Sequence, residues 1–126
     1  MKFTGTFPAM VTPHGFDDFS VMKEKTETVC DFIISKGGHG LFPLGTTGEG
    51  LYLEKDKRKK IAEIIVKHVN KRVPVIMHTG MFRLDDTIEM SIHGKEINAD
   101  AVSIITPCFF PEDDLALFDF FTRLIK

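Results

Sequence analysis

The chain has 126 residues, 16 Lys+Arg against 18 Asp+Glu for a formal net charge of −2, and 43% hydrophobic residues. That length suits one compact domain or part of a larger one. The balance excludes the basic surplus a nucleic-acid footprint requires, and no apolar run approaches the roughly 18–20 residues needed to cross a bilayer.

The opening Met1-Lys2-Phe3-Thr4 lacks the long apolar stretch of a signal peptide. Residues 7–11 form a first short apolar run of the kind that suits a buried strand. A helical segment follows over about residues 20–36, with Val29, Phe32 and Ile33 on one face and Gly37-Gly38 as its stop. Cys30 lies within it. With Cys108 it makes neither a disulfide framework nor a thiolate metal cage. A second apolar run covers 40–44, and a second helix runs over about 54–70 with Ile61, Ile65 and Val69 aligned. The basic residues of 55–60, broken by Asp56, read as a solvated face of that helix.

A third run covers 73–77, and Asp85 is placed to cap a helix that carries Ile88, Ile92 and Ile97. The fourth run, 101–105, is almost wholly apolar, as a strand buried on both faces should be. Leu117, Phe118, Phe121, Leu124 and Ile125 then give the strongest amphipathic stripe, with Asp113 or Asp114 as its cap. The strand starts recur about every thirty residues, the rhythm of βα units joined by right-handed crossovers. Two architectures fit this rhythm: an open doubly wound sheet, or part of a (βα)8 barrel of about 250 residues.

Polar and glycine-rich residues cluster after each run: Thr12-Pro13-His14, Gly45-Thr46-Thr47-Gly48-Glu49, His78-Thr79-Gly80, and Thr106-Pro107-Cys108-Phe109-Phe110. In parallel α/β folds these ends share one rim. The second cluster is the densest. Two glycines flanking two hydroxyls allow a ligand to approach exposed amides, and amides with threonine hydroxyls suit a carboxylate or phosphate. A tight strand–helix loop with threonines that merely cap backbone groups fits the same pattern. Glu49 reads as an anchor that accepts backbone hydrogen bonds.

Gly45-Thr46-Thr47-Gly48-Glu49, preceded by Gly40-Leu41-Phe42-Pro43-Leu44, resembles the signature of the dihydrodipicolinate synthase / N-acetylneuraminate lyase family, class I pyruvate aldolases that form a Schiff base. Gly5-Thr6-Phe7-Pro8-Ala9-Met10-Val11-Thr12-Pro13 is similar to the family's first strand. Val73-Pro74-Val75-Ile76 resembles its third, and Ala99-Asp100-Ala101-Val102 through Thr106-Pro107 its fourth. The resemblance covers essentially the whole chain. It implies a TIM (β/α)8 barrel of which residues 1–126, as a single domain, supply about the first four βα units. It further implies that Thr47, with Gly48, binds the pyruvate carboxylate and that Thr46 joins a hydroxyl proton relay. An α-keto acid needs such a fixed anion clamp so that its carbonyl faces the amine nucleophile, and a hydroxyl can donate and accept at once.

The resemblance also marks two departures. Phe109 occupies the position of the relay tyrosine, and a phenyl ring moves no proton. The family's Schiff-base lysine lies on the sixth strand, beyond the part matched here, and the lysines present fall in helices or turns. A Schiff-base lysine must be desolvated or flanked by positive charge. The expected function is therefore that of a pyruvate-dependent lyase or synthase whose lysine comes from elsewhere. The alternative is a non-catalytic fragment that binds a 2-keto acid or serves assembly. No cofactor is expected.

Among the remaining candidates, His78 at a strand end reads as a hydrogen-bonded structural histidine before a substrate contact. His14, His39, His68 and His93 are dispersed without metal-ligand spacing. Tyr52 reads as a packing residue, Arg83 as an exposed loop charge, and Cys108 has no adjacent cation to activate it. Half a barrel leaves two strand edges and an apolar face uncovered. With Phe118, Phe120 and Phe121, this predicts a homo-oligomer or a complementing second half. A cytosolic chain without nucleic-acid or membrane partners is the overall expectation.

Overall fold

The computed structural model describes residues 3–15, 18–107 and 113–125. Helix α1 (Phe19–Ser35) starts at Asp18, whose carboxylate accepts from the Ser20 amide at 2.7 Å and so satisfies a free donor of the first turn. Its buried stripe is Met22, Thr26 and Cys30, one residue per turn. Thr26 tolerates burial because its hydroxyl donates to the Met22 carbonyl at 2.8 Å. Val29 and Ile33 pack partly against the core, as expected, but Phe32 is 60% exposed and lies under the Lys36 ammonium. The true stripe was masked by that threonine.

Helix α2 (Lys55–Val69) buries Ile61, Ile65 and Val69 as the spacing predicts, and ends on Asn70 in the left-handed region. Its basic start is not all solvated: Arg58 is fully buried. Helix α3 (Leu84–Glu96) begins one residue before Asp85, which stands in the first turn as a charge and not as the cap. Thr87 does the local work instead, accepting from the Met81 amide and donating to the Arg83 carbonyl, each at 3.0 Å. Ile92 is 54% exposed, contrary to expectation, because α3 meets the sheet at Met90 and Gly94. A Cβ at Gly94 would come within 2.9 Å of Val102 and 3.0 Å of Met77. Ile92, two residues from each, necessarily points the other way.

Helix α4 (Asp114–Leu124) is capped by Asp113, which accepts from the Ala116 amide at 2.8 Å. None of its residues is buried, and Phe118 is 73% exposed. The most amphipathic helix of the sequence is thus the least covered one.

Strands β1 (Ile76–His78) and β2 (Ala101–Ser103) pair in parallel, with Ile76 opposite Ala101 and His78 opposite Ser103. Parallel bridges continue the pattern outward, Leu41 to Val75 and Ala9 to Phe42. The four apolar runs therefore lie side by side in chain order, but as much shorter strands than predicted. Proline is the reason. The carbonyls of Pro8, Pro43 and Pro74 accept from Phe42, His78 and Leu41, so these residues face their neighbours at pairing positions where they have no N–H to return. Asp100 repairs one gap, its carboxylate accepting the Val75 amide at 3.0 Å while Lys71 pairs with its other oxygen. The run 101–105 is not buried on both faces: Val102 is 40% and Ile105 50% exposed. The core instead lies between segments 10 and 41–44, β1 and the inner faces of α1, α2 and α3.

Candidate functional site

The ends of the extended segments converge on the threonine loop. Leu44, buried and with φ +65°, turns the chain out of the second segment. The Glu49 amide then bonds back to Thr46 and the Gly50 amide to Gly45, closing a compact loop before a 3-10 turn (Gly50–Tyr52). Gly48 is buried against the first segment. A Cβ there would stand 2.8 Å from the Met10 carbonyl oxygen and 2.9 Å from Thr12 Oγ1, so only glycine lets the loop sit this close. Thr46 and Thr47 are exposed, and no described residue takes their hydroxyl hydrogen bonds. Both remain available to a ligand.

Glu49 does not anchor the loop as predicted. In the left-handed region, its carboxylate meets His14 Nε2 at 2.6 Å, which ties the loop to the end of the first segment side chain to side chain. His14 was unremarkable in sequence because its partner is 35 residues away.

Beneath the loop lies the largest departure from the sequence reading. Arg58 sends its guanidinium into the strand ends: Nη1 donates to the Gly80 carbonyl at 2.9 Å, and Nη2 to those of His78 at 2.6 Å and Leu44 at 3.2 Å. Burial lowers its pKa to about 10, which leaves it charged at neutral pH. Carbonyl dipoles, not a carboxylate, balance that charge. The helical period does carry the signal, since Arg58, Ile61, Ile65 and Val69 follow at steps of three and four.

His78 is hydrogen-bonded, as expected. Nδ1 lies 3.1 Å from Arg58 Nη2, and Nε2 accepts from the Ile105 amide at 3.4 Å. Burial and then the Arg58 charge push its pKa down to about 4, so the ring is neutral. It shares a cleft of about 220 Å³ with Thr46, Glu49, Tyr52, Phe82 and Ile105. Tyr52 is not a packing residue: at 85% exposure it stands at the mouth of this cleft. Thr47 lies beside the cleft without lining it. Arg83 is exposed, as predicted, and near Asp86. Phe109, with Cys108 and Phe110, lies outside the described residues.

Comparison with known proteins frames this geometry. The dihydrodipicolinate synthetase family matches residues 2–126. The chain belongs to that family. It is 36% identical over 124 residues to a 4-hydroxy-tetrahydrodipicolinate synthase of Agrobacterium fabrum, covering 98% of this chain and 42% of the relative. A prophage protein of the dihydrodipicolinic acid synthase family from E. coli K12, solved in complex with pyruvate, superposes with a TM-score of 0.88 at 34% identity, over 97% of this chain and 41% of that one. An N-acetylneuraminate lyase from Mycoplasma synoviae gives a TM-score of 0.87 at 28% identity, over 97% and 42%. The 126 residues thus span less than half the length of these relatives, whose family fold is the TIM barrel. Among the described residues, no helix is long and apolar enough to cross a membrane, and no group of three or more side chains suited to a metal is found.

Proposed function

We propose that these residues are the keto-acid-binding part of a Schiff-base, pyruvate-dependent lyase or synthase, and that they correspond to the first four βα units of an eightfold barrel as one domain. The observation that carries this reading is the pair of free hydroxyls at Thr46 and Thr47, on a loop pressed against the first segment by Gly48. Thr47, with the Gly48 amide, holds the carboxylate of a 2-keto acid. Thr46, which lines the cleft, passes protons. Phe109 stands at the tyrosine position of that relay and contributes none. The related E. coli prophage protein, solved with pyruvate, supports this substrate class.

The amine that attacks the keto carbon, with loss of water, comes from outside these residues. The lysine that opens α2 does not suit it. Lys55, bonded to Asp86 and Glu89, has its pKa raised, the opposite of what a nucleophilic amine requires. A second half or a second copy of the chain then covers α4 and the open β2 edge. That same lysine environment favours, as second reading, a fragment that binds keto acids without turning them over.

Borohydride trapping with pyruvate separates the readings. The aldolase reading expects an adduct only when a lysine-bearing second half is present, and an adduct on the 126 residues alone would overturn the assignment of the lysine. No adduct in either case, with pyruvate still bound and binding lost in Thr47→Val, identifies the binding fragment.

A further inference from the structure

We propose that His14 and Glu49 are positioning residues whose side chains tie the threonine loop to the first segment and so orient Thr46 and Thr47 toward their ligand. The functional half of this inference rests on the keto-acid reading above; the tie itself does not. His14 Nε2 lies 2.6 Å from Glu49 Oε2, across 35 residues of sequence. A carboxylate only accepts, so the ring gives it the Nε2 hydrogen. Pro13 fixes the chain just before His14 and restricts Thr12 to extended backbone, so the imidazole is presented from a stiff stretch. Gly15, at φ +88°, then turns the chain away.

Glu49 holds the other end. Its amide donates to the Thr46 carbonyl at 3.0 Å, and it lines the same cleft as Thr46. It does so at φ +52°, a conformation that glycine adopts freely and that disfavours a residue with a Cβ. A glycine would close this turn with less strain, but it could not reach His14. Next to it, Gly48 rests against the Met10 carbonyl and the Thr12 hydroxyl. Thr12 and His14 are alternate residues, which an extended chain sends to one side, and both face the loop. The Gly48 contact is steric and only sets how close the loop can come; the His14–Glu49 hydrogen bond supplies the attraction that keeps it there. The two side chains are 30% and 58% exposed, so that attraction is modest. Its effect falls on the orientation of the loop more than on the stability of the fold.

The test uses the 126-residue chain, with folding verified by circular dichroism. His14→Leu should move the Thr46 and Thr47 amide resonances, although residue 14 is remote from them in sequence, and weaken pyruvate binding about three- to fivefold. His14→Gln keeps an N–H at the same reach and should recover to within about twofold of the parent. Glu49→Gly removes the tie but relieves the left-handed backbone, so its urea midpoint should stay near the parent's while its pyruvate affinity drops as in His14→Leu. A merely structural role would lower the midpoint and the affinity together. The double variant His14→Leu with Glu49→Gly should bind no worse than either alone, because both remove one contact. Additive losses would overturn the inference. So would a folded His14→Leu whose loop resonances stay in place, or one that moves the loop and still binds pyruvate as the parent does. If the parent binds no pyruvate, the keto-acid reading fails, and the loop resonances of His14→Leu alone decide the tie.

Discussion

Arg58 Nη2 donates to the His78 carbonyl oxygen at 2.6 Å, so a charge rooted in α2 ends at the tip of β1. Removing it strands three carbonyls at a site where Arg58 and Leu44 are fully buried. Arg58→Met should destabilise the chain by on the order of 3–5 kcal/mol, since each buried orphan costs about 1–3 kcal/mol and the effects overlap. Lys60→Met, on the exposed side of the same helix, should change stability by less than about 0.5 kcal/mol. Urea denaturation of both variants measures the contrast; equal midpoints would refute the structural weight given to Arg58.

Much of this fold could be read from the chain. The βα rhythm, the buried face of α2 and the cap at Asp113 follow from periodicity and local hydrogen-bond chemistry, which act over a few residues. The features not legible in the sequence depend on contacts between distant segments. Arg58 is hidden in a basic cluster because its acceptors are backbone carbonyls of other segments, which any sequence has at every position. His14 and Glu49 lack motif spacing because the crossover, not the local chain, brings them together. The strands are shorter than their apolar composition implies because composition does not show which way each proline faces. At the site, the resemblance supplied roles for Thr46 and Thr47 that composition alone left open.

Gly48 faces the Met10 carbonyl and the Thr12 hydroxyl so closely that one methyl group has no room. Backbone cannot yield as a flexible side chain does, so Gly48→Ala should lift the loop from the first segment. The expected cost is about 1–3 kcal/mol, as for other overpacked positions, together with at least tenfold weaker pyruvate binding. A calorimetric titration at matched folded fraction checks this; undiminished affinity would show that the loop's seat on the first segment is irrelevant to the ligand.

His78 predicts a defined acid transition. Its pKa is about 4 in the fold against an ordinary 6.5, so the unfolded chain binds the proton more readily. Stability from this group is complete above about pH 6.5 and is lost as pH falls toward 4, by on the order of 2–3 kcal/mol in all. The lowered carboxylates Asp31 and Glu89 act further down, below their unfolded values near 4. Urea midpoints between pH 6.5 and 4.5 should therefore fall in the parent and stay nearly flat in His78→Gln. A parallel fall in both would assign the transition to other groups.

Cys30 is fully buried, and burial pushes its thiol up to about 12. Thiolate is the reactive form, so at pH 8 native Cys30 should resist alkylation. In a Cys108→Ser background, iodoacetamide modification should be slow in buffer and rapid in denaturing urea. Equal rates would mean that the α1–α2 interface opens readily.

Helix α4 makes the last prediction. Leu115, Phe118 and Ile125 are 80%, 73% and 86% exposed, and Val102 in β2 and Ile105 just beyond it add further exposed apolar surface. A large exposed apolar area, with a β2 edge that pairs with no further strand among the described residues, favours association. Light scattering on the 126-residue chain should give a mass that rises with concentration. Phe118→Glu with Leu115→Glu should return it to the monomer value without loss of helix, because neither side chain supports the core. A parent that stays monomeric throughout would show that α4 and the β2 edge cover each other in solution, and the half-barrel reading would lose its open face.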